Sequence, residues 1–156
     1  MSATSTISIE RIDGTKTSIY CNYDGYVEHN GIILQMFYPT PDLIENLLSL
    51  GDLYTLSYFA EPIIEFPHTY DNPQENVCIA YHRDMGEDFH QSDSIQDYNY
   101  IFNERNLLWY VIHNGERKML EKAIWRLSDD LFEGIHTMKI KCLKQALLAR
   151  TYIDKI

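Results

Sequence analysis

The densest group of side chains able to do chemistry is His82, Arg83, Asp84, Glu87, Asp88 and His90, all within nine residues. Imidazole and carboxylate at this density suit divalent-metal ligation or acid-base work, with His82, Asp84, Glu87 and His90 as the groups concerned. The His-Arg-Asp triplet also echoes a kinase catalytic loop, but nothing else of a kinase accompanies it and 156 residues are too few for one. The plainer reading is a solvated loop in which Arg83 pairs with neighbouring acids, or a surface that recognises a partner or ligand. A second group comprises Tyr23, Asp24, Tyr26, His29 and Asn30. Asp24-Gly25 and Asn30-Gly31 are strong turn formers, so this stretch reads as a strand running into two tight turns. Its tyrosines, part of a total of 12, would supply contact area at low entropic cost.

Several chemistries are excluded by what is missing. There is no GxSxG nucleophile elbow, and neither phosphate-cradling pattern, GxxxxGK or GxGxxG, occurs. Cys21, Cys78 and Cys142 lie more than fifty residues apart with no CxxC pair, so they read as buried structural thiols in a reducing compartment. No metal and no cofactor is expected, and catalysis ranks behind binding.

The elements that must position these groups follow from pattern. Ser5 to Ile12 and Thr17 to Tyr23 read as strands joined by a turn at Asp13-Gly14, and Gly31 to Phe37 as a third extended run. Thr40 caps a helix that opens with Pro41, carries Leu43, Ile44, Leu47 and Leu48 at helical spacing, and stops at Gly51. Leu53 to Phe59 is ambiguous, and Pro62, Pro67 and Pro73 mark a long irregular connection. Val77 to Tyr81 reads as a short strand and His82 to Ser94 as a polar loop. Tyr98 to Phe102, Leu107 to Ile112 and Arg117 to Met119 form a meander with turns at Asn103 to Asn106 and at His113 to Glu116. Leu120, Ile124, Leu127 and Leu131 make one helical stripe, and Ile140, Leu143, Ala146 and Leu147 a second. The expectation is a single α+β domain over residues 1–156: an antiparallel sheet of five to six strands, one helix near residue 45, and a C-terminal helical pair able to support a homo-oligomer.

Charge narrows the partner. The chain holds 13 Lys and Arg against 23 Asp and Glu, a net −10 at pH 7. Residues 61–105 alone set Arg83 and Arg105 against ten acids, whereas residues 106–156 carry an excess of bases. Direct nucleic-acid binding and attraction to anionic membranes are therefore disfavoured. No apolar run reaches the length of a membrane span and the N-terminus is not of signal type, so a cytoplasmic protein is expected.

The segments Ile19 to Tyr26, His29 to Gly31, Leu50 to Leu53, Asp71 to Pro73, Tyr81 to Glu87 and Leu108 to Val111 together resemble a family of small phage- and prophage-encoded accessory proteins. That family's pattern runs Tyr-Cys-His-Trp-Asp-Gly-Tyr, Leu-Gly-Asp-Leu and Tyr-x-Arg-Asp-Arg-Gly-Glu. This chain departs from it at Asn22, Tyr23 and Met85, the similarity covers residues 17–123, and residues 124–156 look like an added helical segment. The resemblance implies a non-virion accessory protein, acting in the host cell cytoplasm, that binds and blocks a host protein, and the acidic charge adds that this partner has a basic surface. A nucleic-acid-binding defence complex is the kind of target such a counter-defence inhibitor would take. Two alternatives stay open: a module that sequesters a small nucleotide-like ligand, and a small metal-assisted enzyme built on the His82 to His90 loop.

Overall fold

The computed structural model describes residues 3–127. It contains strands β1 (Ser5–Glu10), β2 (Lys16–Cys21), β3 (Leu53–Thr55), β4 (Ile79–Ala80), β5 (Tyr98–Asn103), β6 (Leu108–His113) and β7 (Glu116–Met119). Its α-helices are α1 (Ile32–Phe37), α2 (Pro41–Leu48), α3 (Tyr81–Met85) and α4 (Leu120–Leu127).

The strands form one sheet in the order β4-β3-β2-β1-β5-β6-β7. This corrects the expected antiparallel sheet of five to six strands: there are seven, and the sheet is mixed. Hairpins explain the antiparallel neighbours β1-β2, β5-β6 and β6-β7, but β1 pairs with β5 and β2 with β3 in parallel. Parallel partners need crossover connections, here α1 and α2 between β2 and β3 and the long excursion before β5. Turn signals reveal hairpins and are silent on such pairings. β4 lies inside the strand expected at Val77 to Tyr81, whereas β3 lies in the ambiguous Leu53 to Phe59 segment and is only three residues long, too short to show an alternation.

Register places one apolar row across the five adjoining strands β3, β2, β1, β5 and β6. Ile7 lies opposite both Ile19 and Tyr100, Ile9 opposite Phe102, and Cys21 opposite Leu53, with Phe102 facing Trp109 and Tyr100 facing Val111. All of these are buried, and α1, α2 and α4 cover them with Leu34, Ile44, Leu47, Leu120 and Ile124. The polar alternates on the central strands satisfy one another: Ser8 Oγ lies 2.6 Å from Ser18 Oγ, and Thr6 donates to Asn99 Oδ1 at 2.8 Å.

Gly31 to Phe37, expected as a strand, is the end of a π-helical turn (Val27–Gly31) running directly into α1. The cause of the misreading is burial on almost every side. Ile32, Ile33, Leu34 and Met36 are all within the core, and a helix enclosed on most sides shows a nearly continuous apolar run, broken here by Gln35 alone, that periodicity cannot tell from a strand. The α2 cap holds, with Thr40 Oγ1 accepting from the Leu43 N–H and Pro41 in the first turn, and Ile44, Leu47 and Leu48 are buried, but Leu43 of the expected stripe is exposed. Leu120 and Ile124 are buried as the stripe requires, whereas Leu127 is half-buried against the core. Leu131, Cys142, the second C-terminal helix and the oligomer reading based on it lie outside the described residues.

Candidate binding surface

The His82 to Ser94 stretch does not begin as a solvated loop. Its first residues form α3, closed by Gly86 at φ +72°. The short helix turns Asp84 inward, where its side chain is 1% exposed, while Arg83 keeps 24%. Asp84 accepts from Arg83 Nε at 2.8 Å and Nη2 at 3.0 Å, and from the Ala80 N–H at 2.7 Å. Arg83 also donates to the carbonyls of Ala60 (2.6 Å) and Cys78 (2.8 Å). Four of its five N–H groups are therefore consumed within the fold, and little is left for an outside anion.

His68 completes this lattice. Its Nδ1 accepts from the Gln74 N–H at 2.9 Å, which leaves the hydrogen on Nε2, and Nε2 donates to the Cys78 carbonyl at 3.0 Å. The same nitrogen lies 3.4 Å from Asp84. A polar cluster between the long connection and α3 thus pins the segment from residue 59 to 78 against the body.

After Gly86 the chain becomes a strap crossing the end of α2. Asp52 anchors it: its carboxylate accepts from the Tyr20 N–H and the Ser92 N–H, both at 2.9 Å, and from the Ser92 hydroxyl at 2.6 Å. Gly51 is required where the strap passes, since it has φ +77° and a Cβ there would lie 2.7 Å from the His90 carbonyl oxygen. Beneath the strap is a cleft of about 340 Å³ lined by Tyr20, Asp52, Tyr81, His82, Glu87, Asp88 and His90. His82 faces it with Nδ1 donating to the Glu87 carbonyl at 2.8 Å and its ring edge on Phe89. Burial pushes the Tyr81 phenol up to about 12.

The second sequence group is divided between buried and surface positions. Asn30 is fully buried, its amide donating to Ser5 Oγ, Cys21 Sγ and the Tyr23 carbonyl, so it fastens the turn instead of presenting a surface. His29 Nδ1 lies 2.8 Å from Asn30 Oδ1, and its Nε2 is 4.0 Å from Asp24. Tyr26 sits against the Tyr98 ring at 5.7 Å, whereas Tyr23 joins a different cluster centred on Tyr54. Tyr54 lies edge-on to Tyr23, Tyr70 and Tyr81 with ring centroids 4.9, 5.3 and 5.9 Å away. Hydrogen bonds with Tyr23 and Tyr70 hold its hydroxyl protonated well above the usual phenol range.

The structure therefore brings His82, Glu87, Asp88 and His90 together around one cleft, removes Arg83 and Asp84 from it, and keeps Asp24, Tyr26, His29 and Asn30 out of its lining. Tyr20, Asp52, Tyr54, His68 and Tyr70 were missed as members of these clusters. Of these, Tyr20, within Ile19 to Tyr26, and Asp52, within Leu50 to Leu53, stood in segments that drew attention. The cleft walls suit a cation better than a nucleotide, because a phosphate would meet Asp52, Glu87 and Asp88 with no lysine or arginine in the lining. Among the described residues, no three His, Cys, Asp or Glu side chains converge as metal ligands would. Cys21 and Cys78 are buried free thiols, and burial raises both, Cys21 to about 12, which makes them poor nucleophiles.

The exposed surface contributed by residues 61–97 is acidic. Glu61, Glu65, Asp71, Glu75, Glu87, Asp88, Asp93 and Asp97 are all exposed. Lysine and arginine are absent from residues 17–82. Among the described residues, no helix is long and apolar enough to cross a membrane. Comparison of the chain with family models, curated proteins and solved structures found no match.

Proposed function

We propose that this chain is a non-catalytic binding protein that recognises a basic surface on another protein. One observation carries the reading: eight carboxylates between Glu61 and Asp97 are exposed, and the one base within that span, Arg83, spends its hydrogen bonds internally. The field of those carboxylates reaches solvent uncompensated, where it accelerates encounter with a basic partner and selects against acidic ones. Resemblance to phage accessory proteins supports a host protein as that partner, with a nucleic-acid-binding defence complex as the favoured kind. A row of carboxylates would there occupy a groove made for phosphates, and the protein would act as a counter-defence inhibitor.

The test is capture of partners from host lysate on the tagged full chain, at low and at high salt. A charge-driven partner is retained at low salt and released as the Debye length shrinks from about 10 Å at 0.1 M to about 3 Å at 1 M. A partner held equally at both salts, or recovery of only small molecules, refutes the reading.

A further inference from the structure

Among the described residues, eleven large apolar side chains are exposed, and five of them, Phe59, Ile63, Ile64, Phe66 and Tyr70, fall in the connection between β3 and β4. Ile64 is 94% exposed. Solvent-facing apolar side chains concentrated in one segment mark an interaction surface more often than scattered ones do.

This segment is held in shape from within. The Gln74 side chain accepts from the Ile63 N–H at 2.8 Å and donates to the carbonyls of Ile63 and Phe66 at 2.9 and 3.0 Å. The Phe66 N–H closes a turn onto the Ile63 carbonyl, Arg83 grips Ala60, and the Tyr70 N–H reaches the Asp84 carbonyl. Pro62 and Pro67 flank the turn and fix their own φ angles. Gln74, His68 and the backbone are thus satisfied within the loop, while Ile63, Ile64 and Phe66 face outward. Holding the loop in one shape before contact lowers the ordering cost of binding.

Charge identifies the occupant. Glu61, Glu65, Asp71 and Glu75 are exposed between and beside the apolar side chains, and the segment has no lysine or arginine. A second copy of this acidic loop or an anionic lipid surface would be repelled. We propose that residues 59–76 are a preformed docking loop for a basic amphipathic protein segment. Its apolar stripe covers Ile63, Ile64 and Phe66 while its lysines and arginines meet the four carboxylates. This rests on the reading of the chain as a binder of basic surfaces and names where contact is made.

The test uses two synthetic peptides of identical leucine and lysine composition, each about 18 residues or five helical turns long, one with its leucines on a single face and one scrambled. Affinity is measured by calorimetry on the full chain. The wild type should prefer the striped peptide by about tenfold or more, roughly 1.4 kcal/mol. Ile63→Ser/Ile64→Ser/Phe66→Ser should lose that preference with an unchanged far-UV spectrum. Ile95→Ser, at an exposed position outside the loop, should keep it. Equal wild-type affinity for the two peptides, loss of preference in Ile95→Ser, or tighter binding to phosphatidylcholine vesicles than to the striped peptide overturns the proposal. If the triple variant keeps the preference while reversing Glu87, Asp88 and Asp93 to Lys releases both peptides, the loop assignment falls and the binding reading stands. If the wild type binds neither peptide, both fall.

Discussion

Removing the Arg83 side chain should be among the costliest single changes in the acidic half of the molecule. Arg83→Ala leaves the Asp84 carboxylate in place, 1% exposed, with the Ala80 N–H and His68 as its remaining neighbours. Breaking a buried pair from one side typically costs about 3 to 5 kcal/mol, because the surviving charge has lost its partner and is still shielded from water. The bond count gives an overlapping range of about 3 to 6 kcal/mol: Arg83 makes two charge-assisted bonds to Asp84, each contributing about 1.5 to 3 kcal/mol. Asp84→Ala should cost less, about 1 to 3 kcal/mol, since quarter-exposed Arg83 can turn its head to water and the main orphan is the Ala80 N–H. Urea unfolding followed by far-UV circular dichroism measures both. Chymotrypsin digestion under native conditions reports the same lattice differently, because loosening it should expose cleavage after Tyr70 first, the Phe66 bond being protected by Pro67. A loss below about 1 kcal/mol in Arg83→Ala, or a larger loss in Asp84→Ala than in Arg83→Ala, would refute the argument that the pair is a buried brace.

Ile124→Ala should destabilise by about 2 to 5 kcal/mol, since Ile124 is 1% exposed within the core, whereas half-buried Leu127→Ala should cost only about 1 kcal/mol. Thermal or urea unfolding of the two variants side by side checks that order. Stability should also fall at alkaline pH. Cys21 is raised to about 12 by burial, so the unfolded thiol ionises first, and its contribution is complete below about pH 8.5 and lost as pH rises toward 12. Each such group costs up to about 1.4 kcal/mol per pH unit in that window, and Cys21→Ala should flatten the profile of unfolding free energy against pH accordingly.

Much of the local structure could be read from residue type. The cap at Thr40, the turn at Asp13-Gly14, the Asn114-Gly115 hairpin with both residues at positive φ, and the first two stripe residues of α4 are sequence signals with short-range causes. Topology was not readable in the same way. The parallel pairing of β1 with β5 joins residues more than ninety positions apart, and no turn residue encodes it. The candidate surface shows the same division. Clustering of His82, Glu87, Asp88 and His90 follows from their adjacency, but the inward turn of Asp84 depends on Ala60, His68 and Cys78, which only the fold brings near. The apolar loop was concealed because Pro-rich connections read as irregular polar segments, and outward-facing Ile and Phe cannot be told from buried ones by type alone.

The central claim is that exposed carboxylates unpaired with lysine or arginine among the described residues govern recognition. The direct measurement is the affinity of the captured partner for the wild type and for Glu87→Lys/Asp88→Lys/Asp93→Lys, across salt concentrations. Three reversals take the net charge from −10 to −4 at positions that are all exposed, so the fold should be retained. The account predicts weaker binding in the variant at low salt and a flatter dependence on salt, mostly through slower association. An affinity and salt slope indistinguishable from the wild type in a correctly folded variant would contradict it.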